Sequence, residues 1–150
     1  MPVKRILSIL SFCVLLSACA SISSKYSSQD RLDILNKSLG TNNVSYYIKL
    51  DSTGTILSDS FASIFNKFNA NPNTKTLTEF LQKSSGQSIA VIANRDEMAV
   101  SFIEGAIAGL KGRGSRTCIQ FVGSKQSVDH LIKITEKAGI PFTGVVIPGL

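Results

Sequence analysis

The chain has few of the residues that carry catalysis or bind metal ions. Its 150 residues include one histidine and three cysteines. A catalytic set of serine, histidine and acid would have to use His130, but this residue lies beside Asp129 on the polar face of a predicted helix. Cys118 is the only cysteine after residue 19, so that part of the chain has no cysteine pair for zinc. These shortages favour a non-enzymatic protein that uses no metal and no cofactor.

The chain contains no long run of charges of one sign. The formal net charge is +6, from 16 Lys and Arg against 10 Asp and Glu. No tract of five or six like charges marks a nucleic-acid-binding tail. This balance permits contact with an anionic surface but does not require it, and no nucleic-acid partner is expected.

One long apolar run is present near the start, and it is too short to span a bilayer. Residues 6–16 are uncharged and mostly apolar, Lys4 and Arg5 precede them, and Ser17 and Ala18 follow. A membrane-spanning helix needs roughly 20 apolar residues. A positive start, a short apolar stretch and small residues before a cleavage point are typical of a secretory signal. The sequence therefore predicts a signal peptide over residues 1–18.

The end of this run is the most specific motif in the chain. Leu16-Ser17-Ala18-Cys19 resembles the lipobox of bacterial lipoproteins, and the resemblance covers residues 1–19 only. It implies that the chain is cut before Cys19 and that Cys19 carries fatty acyl chains such as palmitate. Two or more chains hold a protein stably on a membrane, whereas one binds marginally. In such lipoproteins an aspartate directly after the cysteine usually signals retention in the inner membrane. This chain has Ala20 there, so the resemblance implies an anchor in the outer membrane, with the periplasmic face as the expected side.

The rest of the chain is expected to be a tether followed by one domain. Residues 19–29 are rich in serine and have little to bury. Residues 30–150 are enough for a single domain with its own core. Cys118 lies in an apolar segment and is expected to be a packed thiol of a strand.

Hydrophobic periodicity predicts mixed elements in the first half of this domain. A helix is predicted over Asp30–Leu39 and a half-buried strand over Val44–Leu50, with an antiparallel return at Thr55–Leu57. Two further helices are predicted, over Asp59–Phe68 and from a capping box at Thr76 and Glu79 to about Gly86.

The second half predicts a parallel sheet more clearly. Apolar strands are expected at residues 88–93, 117–122 and 142–147, with helices between them that begin at caps on Asn94 and Ser124. Gly105 and Gly109 are expected to let the first of these helices lie close on the sheet. Alternation of strand and helix predicts right-handed crossovers. We therefore expect an α/β fold: a small mixed sheet with a C-terminal βαβαβ parallel unit and helices on both faces.

Two places are candidate binding sites. In open α/β sheets ligands lie beyond the carboxyl ends of strands, which here predicts Asn94, Ser124 and Lys125 as a site for a small anion, with ordinary helix capping as the alternative. The segment Gly109–Arg116 carries Lys111, Arg113 and Arg116. It fits neither a P-loop nor a dinucleotide motif, so contact with an anionic surface, or a solvated loop, is expected.

The sequence is consistent with two functions. The first is a membrane-anchored envelope lipoprotein, held through the acyl chains of Cys19, that docks onto other envelope proteins as a subunit of a secretion, conjugation or surface assembly. The alternative is a small anionic-ligand binding module that uses the strand ends.

Overall fold

The computed structural model describes residues 25–40, 46–51, 54–57 and 74–150. Its helices are α1 (Ser28–Leu39), α2 (Thr74–Lys83), α3 (Asp96–Gly109) and α4 (Lys125–Ala138). Its strands are β1 (Tyr46–Asp51), β2 (Gly54–Leu57), β3 (Ser88–Ala93), β4 (Cys118–Gly123) and β5 (Phe142–Val146). The predicted signal peptide, Cys19 and the predicted helix Asp59–Phe68 lie outside the described residues. No helix within these ranges is long and apolar enough to cross a membrane.

The five strands form one mixed sheet in the order β2-β1-β3-β4-β5. β2 returns antiparallel on β1, while β1, β3, β4 and β5 are mutually parallel. The connections through α3 and α4 each move the chain one strand further toward β5. Because such crossovers have the same hand, both helices lie on one face of the sheet. The predicted fold class is therefore confirmed, including its C-terminal parallel unit.

The side chains of β3 alternate between two cores, one on each face of the sheet. Ile89, Val91 and Ala93 lie in the larger core with α2, α3 and α4. Ala90 and Ile92 lie in a smaller core with Leu32 and Leu35 of α1. Because a strand covered on both faces has no polar side, β3 reads as a continuous apolar run.

The glycines of α3 contact a helix and not the sheet, so that prediction is wrong. A Cβ placed on Gly105 would lie 2.7 Å from Thr74 Cγ2, and one on Gly109 would lie 2.6 Å from Thr78 Oγ1. Thr78 also donates a hydrogen bond to the carbonyl of Ala106 at 3.0 Å. Small residues one turn apart thus allow α2 and α3 to approach closely.

Three predicted helix starts differ from the structure. α1 begins at Ser28, where Ser27 and Asp30 form a capping box, so the predicted boundary between tether and domain at residue 30 falls inside this helix. α2 begins at Thr74, which places Thr76 within it and not at its cap. The cap predicted on Asn94 is also wrong, because Arg95 occupies the N-cap of α3 without a side-chain bond.

The cap predicted on Ser124 is confirmed, since its side chain accepts a hydrogen bond from the backbone N–H of Ser127. Gly139, in the left-handed conformation at φ 67°, ends α4.

Candidate functional site

The carboxyl ends of β3 and β4, here called the carboxyl pole, are occupied by a buried ion pair. Arg31, in the first turns of α1, places its Nη1 2.5 Å from Asp96 Oδ1 at the start of α3. The two side chains are only 2% and 8% exposed. Arg31 also donates to the carbonyls of Val122 at 3.2 Å and Asn94 at 3.5 Å. One guanidinium therefore joins α1 to the ends of two central strands.

Asp96 is held by the next loop as well as by Arg31. The backbone N–H of Ser124 donates to Asp96 Oδ2 at 2.7 Å. A Cβ placed on Gly123 would lie 2.7 Å from the same oxygen, so the glycine at the end of β4 leaves room for the carboxylate. Arg31, Asp96 and Ser124 with these strand-end carbonyls are called the Arg31 network below.

Charge and hydrogen bonding set the ionisation of Asp96. Burial by itself would raise the pKa of this carboxyl, but hydrogen bonds from Arg31, Ser124 and Ser127 outweigh it and hold the pKa below its usual value of 3.8. Asp96 is therefore an anion whose charge is neutralised inside the protein. A general acid or base needs a proton that exchanges near the working pH, which this carboxylate does not offer.

Asn94, Ser124 and Lys125 are close in the fold, but their polar groups are mostly used by the protein. The hydroxyl of Ser124 accepts from the N–H of Ser127 at 3.3 Å. Lys125 is exposed, and its Nζ lies 2.5 Å from Asp129 Oδ2, one turn further along α4. Asn94 Oδ1, in contrast, is buried and has no hydrogen-bond partner among the described residues. The same holds for Nε of Arg31.

Sequence reasoning missed Arg31, although the chain contained a signal for it. The buried positions of α1 are Ser28, Arg31, Leu32 and Leu35, which is the i, i+3, i+4, i+7 spacing of an inward face. A cation at an inward position requires a buried partner. That partner, Asp96, is 65 residues away, and an acid at a helix start has an ordinary local explanation.

The second candidate lies at the opposite end of the sheet, here called the amino pole. Residues 110–117 join the end of α3 to the start of β4 and are called the basic loop. Lys111, Arg113 and Arg116 are all exposed. In the part of the chain that the structure describes, none of the three pairs with an acidic side chain. The predicted cations are therefore available to a partner.

Hydrogen bonds fix the basic loop against the ends of two helices. Ser115 donates its hydroxyl to the carbonyl of Leu81 at 2.7 Å and its N–H to the carbonyl of Gly139 at 3.3 Å. Thr117 donates its hydroxyl to the carbonyl of Ser84 at 2.7 Å. The cations thus project from a loop that several hydrogen bonds hold in place. It lies beside the C-terminal ends of α2 and α4, whose partial negative charge attracts cations.

The remaining candidate residues lie apart from both poles. His130 is exposed, and its Nε2 lies 2.6 Å from Glu104 Oε1, which bridges α4 to α3. A shallow depression beside it is lined by side chains of α4 alone. Cys118 is half-buried at the start of β4, with its sulfur 3.5 Å from the hydroxyl of Thr143. The prediction of a packed thiol stays a prediction, because Cys118 is half-buried and not fully enclosed.

Metal ligands and known relatives add no further site. Within the described ranges, no three side chains of His, Cys, Asp or Glu lie close enough to hold a metal ion. No protein-family model, no curated protein and no solved structure matches the chain. The two poles are therefore interpreted from their own geometry.

Proposed function

We propose that this protein is a lipid-anchored envelope lipoprotein that docks onto other envelope proteins and performs no catalysis itself. In this proposal residues 1–18 are removed, and the acyl chains of Cys19 hold the domain on the periplasmic face of the outer membrane. Its role is that of a subunit in a secretion, conjugation or surface assembly.

The opposed poles of the domain are the observation that carries this proposal. The chain enters the domain at the carboxyl pole, because Arg31 in the first turns of α1 contacts the ends of β3 and β4. Residues 19–27, which precede α1, can span at most about 30 Å when fully extended. The unpaired cations of the basic loop lie at the other end of the sheet, which suits a surface that faces away from the anchor.

The Arg31 network supports the non-enzymatic part of the proposal. In an open α/β sheet the crevice beyond the strand ends is where a substrate ordinarily binds. Here Arg31 and Asp96 neutralise each other in that position, and the N–H and hydroxyl of Ser124 are both engaged. The groups that could do chemistry instead fasten α1 to the sheet.

The alternative function, a module for a small anionic ligand, has one observation in its favour. Nε of Arg31, a hydrogen-bond donor, is buried without a partner among the described residues, which is costly, and an anion would supply the missing acceptor. A ligand held there would also use Lys125. Calorimetric titration with inorganic phosphate or acetate, on the wild type and on Lys125→Ala, tests this alternative. Heat that disappears in the variant would favour it over docking.

The anchor and the docking surface are tested separately. Cys19→Ala is expected to release the protein from the membrane fraction and to leave the precursor unprocessed. For docking, the tagged protein is cross-linked in intact cells, purified and identified with its partners by mass spectrometry. A stoichiometric envelope protein should be recovered with the wild type and lost in the variant Lys111→Gln, Arg113→Gln, Arg116→Gln.

A matched control removes three exposed cations elsewhere. The variant Lys75→Gln, Arg95→Gln, Lys133→Gln has the same charge change outside the basic loop, and it should retain the partner. Recovery of only lipids and abundant porins with the wild type would contradict docking. Equal loss in both triple variants would show that net charge matters and the position of the loop does not.

A further inference from the structure

We propose that the β5 side of the domain is the contact surface between two copies of this chain. β5 is at the end of the strand order, and among the described strands it pairs only with β4. Its sequence, Phe142–Val146, contains no charged residue. Charge or proline ordinarily protects an edge strand from pairing; here Pro141 and Pro148 flank β5, and the five residues of the strand between them leave its open side able to pair with another strand.

The backbone of β5 has groups directed to this open side. The N–H of Ile119 donates to the carbonyl of Pro141, and the N–H of Ile147 donates to the carbonyl of Gly123. Residues 141 and 147 therefore face β4. Because backbone groups alternate along a strand, Phe142, Gly144 and Val146 direct their N–H and carbonyl groups outward. An antiparallel second strand can pair with these groups.

Exposed apolar side chains lie along the same side. In the described part of the chain the large hydrophobic side chains that remain exposed are Ile132, Val146 and Leu150, at 37%, 43% and 44%. Val146 is in β5, and Leu150 follows it closely. Val128 packs over Gly144 of β5, and Ile132 is one turn further along α4. Ile132 and Val146 thus lie on the β5 side of the domain, and Leu150 lies beyond the end of β5, where its N–H donates to the carbonyl of Ile147.

The charges on α4 match a second copy of the same helix. Lys125, Asp129, Ile132 and Glu136 form a single stripe at i, i+4, i+7 and i+11. When two such stripes meet antiparallel across a two-fold axis, Lys125 of each copy faces Glu136 of the other, and Asp129 faces Ile132. Glu136 has no ion-pair partner among the described residues. The two ends of the stripe are therefore complementary in charge across a two-fold axis, and each Lys125 would lie between Glu136 of the other copy and its own Asp129, which is 2.5 Å away.

The size of this edge predicts a weak dimer. β5 is about 17 Å long at the strand rise, and α4, with its 14 residues, is about 21 Å long. Two layers about 10 Å thick each give roughly 400 Å² per copy, or about 800 Å² in total. Stable complexes bury about 1,200–2,000 Å². We therefore expect a weak, reversible dimer in which the two sheets are joined into one.

Sedimentation of the protein purified from membranes in detergent, over micromolar to millimolar concentrations, tests the dimer. The wild type should dimerise, and Val146→Lys should shift the midpoint at least about tenfold to higher concentration. A wild type that stays monomeric over the whole range, or a Val146→Lys variant that dimerises as well as the wild type, would overturn the proposal.

A charge exchange tests the antiparallel pairing itself. Lys125→Glu and Glu136→Lys should each weaken the dimer about tenfold, because like charges then meet. The double variant Lys125→Glu, Glu136→Lys should recover the wild-type midpoint. Lys133→Glu, which lies off the stripe, is the control and should change little. A double variant as weak as the single variants would overturn the pairing and point to another protein as the occupant of this edge.

Discussion

Removal of the Arg31 guanidinium should destabilise the domain far more than removal of a charge from an exposed ion pair. Arg31→Met keeps an unbranched apolar chain at this buried position but leaves the Asp96 carboxylate buried, with Ser124 and Ser127 as its remaining donors. Loss of one partner of a buried ion pair costs about 3–5 kcal/mol. Domains are stable by only about 5–15 kcal/mol, so the change should remove a large part of the free energy of unfolding and lower the melting temperature by roughly 10–20 °C.

A double-mutant cycle separates the ion pair from simple loss of packing. Asp96→Asn keeps an oxygen that can accept from the N–H of Ser124, so the variant Arg31→Met, Asp96→Asn contains no unpaired buried charge. We expect this double variant to be more stable than Arg31→Met alone, by about 1–3 kcal/mol. Equilibrium unfolding in urea, followed by circular dichroism, measures all four proteins.

The control for this cycle is the exposed pair His130 and Glu104. Glu104→Gln should change the free energy of unfolding by no more than about 0.5 kcal/mol. The reasoning would be refuted by an Arg31→Met variant that loses less than about 1 kcal/mol, or by a double variant whose loss equals the sum of the two single losses.

Three further predictions concern acid stability, helix packing and capping. The pKa of Asp96 is lower in the folded protein than its usual 3.8, so its contribution to stability is present above that pH and is lost as the pH falls through the folded value. Urea midpoints measured from pH 6 to pH 2.5, about the range of carboxyl titration, should therefore fall more steeply for the wild type than for Asp96→Asn. Parallel curves would contradict this. Gly109→Ala should destabilise the protein by about 1–3 kcal/mol through its collision with Thr78, and Thr78→Ala in the same chain should recover part of that loss in thermal unfolding; an additive double variant would argue against the collision. Ser124→Ala should cost about 1 kcal/mol and Ser124→Gly only a few tenths, so equal losses in urea unfolding would show that the hydroxyl is not an effective cap.

The parallel half of the fold could be predicted because its signals are local. The apolar run of β3, the cap on Ser124 and the glycine that ends α4 each determine an element within a few residues. The short repeat of strand and helix then leaves few possible topologies. Prediction worked at these positions because hydrophobic periodicity and backbone capping act over one or two turns of chain.

The site could not be predicted in the same way because its contacts are distant in sequence. Arg31 and Asp96 are 65 residues apart, and each has an ordinary local explanation, as a helical cation and as an acid at a helix start. Gly105 and Gly109 showed that α3 lies close to a neighbour, but Thr74 and Thr78 of α2 could not be identified as that neighbour from spacing. A local pattern indicates that a partner exists, while only the fold determines which one it is.

The position of Arg31 also determines how the domain resists a pull. Any force applied to the chain before Ser28 reaches α1 at its first turn, where Arg31 holds a strand-end carbonyl of β4, the carbonyl of Asn94 and the carboxylate of Asp96. These bonds lie within one turn of the start of α1, so one guanidinium bears the load on three acceptors together, between the contacts of Tyr26 and Leu35 with the smaller core. The Arg31 network therefore bears part of this force and transmits it to the ends of β3 and β4.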